Sequence, residues 1–67
     1  MKTLGNRLKE KRIEHHLTQK QIANKLNINQ VTYHGYEKDK HKPDIDTLIK
    51  IADIFNISID YIAGRYN

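Results

Sequence analysis

The chain has 67 residues, with 12 Lys plus Arg against 8 Asp plus Glu and no Cys, giving a formal charge of +4 and an isoelectric point near 9.5. That length allows one domain, residues 1–67, with a thin core worth about 3–5 kcal/mol unless a partner subunit supplements it. The missing cysteines exclude a disulfide framework and suit a reducing, cytoplasmic setting, no apolar run is long enough for a membrane span or a secretory signal, and the modest positive charge favours a polyanionic partner.

Capping chemistry and apolar spacing predict five helices and no strands. The first runs from about Leu4 to His15, with Leu4 and Leu8 as its inner stripe and Arg12 at the next four-residue interval. The second opens at Thr18, where Gln21 three residues on completes a capping box, and Ile22, Ala23 and Leu26 share one face. The small Ala23 lets two helix axes approach, and Asn27 tolerates the left-handed backbone that a sharp turn needs. The third helix follows Asn29, from about Gln30 to Lys38, with Tyr33 and Tyr36 inward. Pro43-Asp44 then introduces a fourth helix, Ile45 to Phe55, whose Leu48, Ile49, Ile51, Ala52, Ile54 and Phe55 predict a place at the centre of the bundle. A short fifth helix, Ile59 to Ala63, ends at Gly64. Leu17 with Ile22, Ile28 with Tyr33, and Ile57 with Ile62 each straddle a capping side chain, as in a hydrophobic staple.

Two short helices joined by a tight turn form a device for reading DNA, and the third helix keeps its outer face free. Asn29, Gln30, Val31, His34 and Gly35 are the candidate base-reading residues. Gln30 can pair bidentately with adenine, Val31 can meet a thymine methyl, and His34 can donate or accept at a base or phosphate. Gly35 either allows close backbone approach or leaves a base unread. Gln19, at the start of the second helix, with Thr32, Lys38, Lys40 and Lys42, are the candidate backbone contacts.

The segments Leu17-Thr18-Gln19, Ile22-Ala23, Asn29-Gln30, Tyr36-Glu37-Lys38, Lys42-Pro43, Leu48-Ile49-Lys50-Ile51-Ala52 and Ile57-Ser58-Ile59-Asp60 make the chain similar to the phage-repressor family of helix-turn-helix domains, the Cro/C1 or Xre-like regulators. The resemblance covers nearly every residue. It implies an all-α, compact five-helix fold of the lambda-repressor type, a recognition helix in the major groove, and binding to operators as a dimer. It also implies an Arg12–Glu37 contact between the first and third helices, where spacing alone leaves open a rim position for both. Asp39 stands where the family usually has Gly, and Gly35 where a longer polar side chain is common.

The expected function is therefore that of a sequence-specific double-stranded-DNA-binding transcriptional regulator of the repressor kind. The alternatives are an antitoxin of a toxin-antitoxin pair and a helix-turn-helix interaction module without DNA binding. An inverted-repeat operator, a homodimer and a regulatory protein partner belong to the main reading. Ile57, Ile59, Tyr61, Ile62 and Tyr66 are the candidate dimer interface, against the alternative that they only seal the monomer's core. His15, His16, His34 and His41 lack the spaced partners of a zinc site, and no nucleophile elbow or phosphate loop is present. No cofactor, metal or catalytic residue is expected.

Overall fold

A computed structural model describes residues 2–64, which form α1 (Leu4–Glu14), α2 (Gln19–Leu26), α3 (Gln30–Glu37), α4 (Ile45–Phe55) and α5 (Ile59–Ala63). Every helix starts on a side chain that accepts from a backbone N–H of its first turn: Thr3, Thr18, Asn29, Asp44 and Ser58. Thr18 and Gln21 complete the expected capping box, the Gln21 amide oxygen accepting from the Thr18 N–H at 2.8 Å. Such bonds satisfy donors that a helix N-terminus cannot pair internally.

The first four helices stop in one way. His16, Asn27, Asp39 and Asn56 have φ between 55° and 59°, the left-handed region. After α3, the N–H of Asp39 donates to the Tyr36 carbonyl and that of Lys40 to the Gly35 carbonyl, the paired bonds of a Schellman turn. Leu17, Ile28 and Ile57 donate the corresponding bonds after α1, α2 and α4. These reversals keep the connections short, and each apolar residue beyond the turn packs back on the core.

Leu8, Ile22, Ala23, Leu26, Tyr33, Tyr36, Ile51, Ala52, Phe55 and Ile62 are that core. Here α3 packs on α1 and α2, while α4 packs on α5 and α2. The expectation that α4 occupies the centre is corrected: Ile51, Ala52 and Phe55 are buried, but Ile49 is 42% exposed and Ile45, at the first position, 60%. Its apolar arc is wider than the surface its neighbours cover. Tyr33 of α3, Leu8 of α1 and Ile22 of α2 are as fully buried as Ile51 of α4, so the core is shared among the helices.

The close pairing of α1 and α3 depends on Gly5. A Cβ there would overlap the carbonyl oxygen of Glu37 and lie 2.7 Å from that of Tyr36, so only glycine permits the approach. Asp39 reinforces it from the loop, its carboxylate accepting from Thr3 Oγ1 at 2.6 Å and from the Gly5 N–H at 2.9 Å. Asp39 thus holds a left-handed turn and ties the start of α1 to the end of α3.

Candidate nucleic-acid interface

The inner side of α3 is anchored by charge. Arg12 Nε donates to Glu37 Oε2 at 2.7 Å, a second guanidinium nitrogen donates to Glu37 Oε1 at 3.2 Å, and a third bond, 2.8 Å long, reaches the Leu17 carbonyl. The Glu37 side chain is only 2% exposed and that of Arg12 13%, so the pair lies under the surface and not on the rim. Burial works to raise the Glu37 carboxyl, but the Arg12 guanidinium, the nearby Tyr33 hydroxyl and the Gln19 amide together hold it below the usual carboxylate value. Among the described residues the buried Tyr33 hydroxyl forms no hydrogen bond of standard geometry. Burial, and then the Glu37 charge, push its own ionisation well up.

From Glu37 a chain of hydrogen bonds runs outward. Gln19 Nε2 donates to Glu37 Oε1 at 3.0 Å, and Gln19 Oε1 lies 3.2 Å from His34 Nδ1. A carboxylate only accepts, which assigns the Gln19 amide orientation, and its oxygen in turn requires a proton on His34 Nδ1. In neutral His34 that leaves Nε2 as an acceptor with no partner among the described residues. Gln19 is therefore held at its side chain by both Glu37 and His34, which leaves one Nε2 hydrogen for a further acceptor. Its backbone N–H, at the first position of α2, has no intrahelical partner and remains suited to an anion.

The other expected contacts divide. Val31 is 77% exposed and Gln30 is exposed beside it, both at the free start of α3. Asn29 is exposed but accepts from the Val31 N–H at 2.7 Å, so its carbonyl oxygen serves the helix cap. Thr32 and His34 are half-buried, and Lys38, Lys40 and Lys42 are exposed on and beyond the end of α3. Gly35 departs from the expected outward position. It is buried, because the imidazole of His41 lies where a side chain at 35 would stand. Spacing along α3 gave no sign of this, since His41 arrives from the loop.

At the proposed subunit contact, Ile62 is a correction: it is 1% exposed and belongs to the monomer's core. Ile57, Ile59 and Tyr61 are half-buried against that core, and the Tyr61 hydroxyl donates to Glu10 Oε1 at 3.2 Å on α1. Tyr66 lies outside the described residues. Among the described residues no group of three or more His, Asp or Glu side chains could hold a metal, and no helix is long and apolar enough to cross a membrane.

A helix-turn-helix family model matches residues 8–62. The HTH-type transcriptional regulator ImmR of Bacillus subtilis is 46% identical over 63 residues, covering 94% of this chain and 50% of its own length. The cryptic phage CTXphi transcriptional repressor RstR of Vibrio cholerae is 38% identical over 63 residues, covering 94% of this chain and 56% of its own length. The chain thus spans about half the length of these curated relatives. Among solved structures, the P22 c2 repressor in complex with a synthetic operator has the same fold, with a TM-score of 0.91 at 17% identity over 98% of this chain and all of that one. With the two packed helices, the left-handed Asn27 turn and the free face of α3 in place, the chain belongs to the helix-turn-helix family of phage-repressor-like, Xre-type regulators.

Proposed function

We propose that the chain is the operator-binding part of a transcriptional repressor, reading the major groove with the outer face of α3. The observation that carries this reading is the exposure of Gln30 and Val31 at the start of α3, with Lys38, Lys40 and Lys42 exposed at its other end. Base-edge chemistry lies at one end of the helix and phosphate-seeking charge at the other. Relatives named as regulators and as a phage repressor support the same reading. The partner is double-stranded DNA carrying an inverted repeat, met by a homodimer in the cytoplasm. A regulatory protein could act on the complex, and no cofactor or catalytic step is involved.

The test compares two variants on a duplex selected from a randomised library. Gln30→Ala should weaken the preferred site by about 1–3 kcal/mol and relax preference at one base pair. Lys40→Ala should weaken all sequences alike and reduce the salt slope by about one unit. Equal losses on selected and random DNA for both variants would remove Gln30 from base reading. A parent chain that shifts no duplex at low salt would instead favour the interaction-module alternative.

A further inference from the structure

We infer that His41 supplies the reading face of α3 with the side chain that Gly35 lacks. The inference rests on the DNA-binding reading above and extends it to a residue outside the helix. A Cβ built on Gly35 would overlap His41 Cε1 and lie 2.6 Å from Nε2, so the ring occupies the start of the path a side chain at 35 would take. Two further contacts seat it. His41 Nε2 lies 3.1 Å from the Thr32 carbonyl oxygen, and the ring meets Tyr36 edge-on with centroids 5.2 Å apart.

The carbonyl accepts only, so Nε2 carries the proton in this bond, and Nδ1 of the neutral ring remains an acceptor with no partner among the described residues. Gly35 is one helical turn beyond Val31 on the same stripe of α3. The ring therefore borders the face on which Val31 stands 77% exposed, and His41 itself is exposed. The turn that delivers it is fixed by the Lys40 N–H to Gly35 carbonyl bond of 2.9 Å. A glycine inside a helix costs about 1 kcal/mol relative to alanine. Room for this imidazole is a physical reason to keep it.

Binding to a selected preferred duplex and to random duplex should be measured by fluorescence anisotropy at one salt concentration, with thermal unfolding of each variant. His41→Ala should weaken the preferred duplex about tenfold, flatten the preference at one base pair, and change random-duplex affinity by less than about twofold. Gly35→Ala should displace the ring and give the same loss, and the double variant should be no worse than either single one. If Gly35→Ala does not fold, the base-preference profile of His41→Ala decides alone. A His41→Ala protein that keeps the parent's preference at every base pair, or that weakens all duplexes alike, overturns the inference. A parent chain that binds no duplex overturns the DNA-binding reading itself, and the inference with it.

Discussion

Arg12 and Glu37 show how much one buried contact can control. Neither charge can be left alone beneath the surface, because desolvation of a lone ion costs more than a surface pair ever returns. Arg12→Ala should therefore destabilise the fold by about 3–5 kcal/mol, and the Arg12→Ala/Glu37→Ala protein should lose less than the sum of the single changes. A double-mutant cycle in thermal unfolding with coupling near zero would contradict this. The pair also contributes to how stability falls in acid. The Glu37 carboxyl titrates lower in the folded chain than in the unfolded one, so as pH falls the unfolded chain takes up its proton first. Its contribution is complete above the unfolded value, about 4.3, and is lost as pH falls through the folded one. Asp39, held down by Thr3 and Gly5, and Asp44, held down by Thr47, act in the same direction. The melting temperature should thus stay nearly level from neutral pH to about 5 and decline below it. The decline should be shallower in Glu37→Gln, and an unchanged slope would show that Glu37 is not among the groups responsible. Of these residues, Arg12 and Glu37 were legible from four-residue spacing and the family resemblance. Gly5 and the Asp39 carboxylate were not, because each is explained by contacts more than 30 positions away in the chain.

At the scale of elements, the helix ends carry the organisation. α3 is a poor helix by propensity, with Val31, Thr32, Tyr33 and Gly35 in eight residues, and it persists through buried Tyr33, Tyr36 and Glu37 and through its two caps. Its C-terminal turn at Asp39 does two separable jobs, tolerating a positive φ and clamping α1. Asp39→Asn should keep the first and weaken the second, Asp39→Gly should keep only the first, and Asp39→Ala should lose both. The melting temperatures should then run parent, Asn, Gly, Ala in descending order. A glycine variant at or above the parent would mean that the clamp contributes nothing. The starts of α2, α3 and α5 were readable because a cap and its staple lie within six consecutive residues. The left-handed turn at His16 was not, since histidine is a weaker signal for that backbone than Gly or Asn and the turn accompanies Leu17 packing back on the core. α4 misled for a related reason: counting apolar positions measures the width of a stripe, while burial depends on which neighbours reach it.

For the whole molecule, the remaining question is how its apolar surface is used. Ile62 belongs to the core, and Tyr61 is held on α1 by Glu10 and by Lys11, whose Nζ lies 4.9 Å from the ring centroid. That narrows the expected subunit contact to the half-buried edges of Ile57, Ile59 and Tyr61, with Ile45 and Ile49 exposed on α4 as the competing surface. Sequence could count these groups, but the division between core and contact depends on how α5 docks on α1 and α4. A two-fold contact through α5 would place two recognition helices about 34–36 Å apart, one turn of the duplex, and so select an inverted repeat. Sedimentation equilibrium from micromolar to millimolar protein, with and without selected operator, separates the surfaces when run on two charge insertions. Ile59→Asp should abolish dimer formation and weaken the full operator much more than a half-site, while Ile45→Lys should leave both unchanged. The reverse pattern would move the contact to α4. A parent chain that stays monomeric throughout and binds the operator as one copy would end the dimer reading, and Ile59→Asp should then bind operator as well as the parent does.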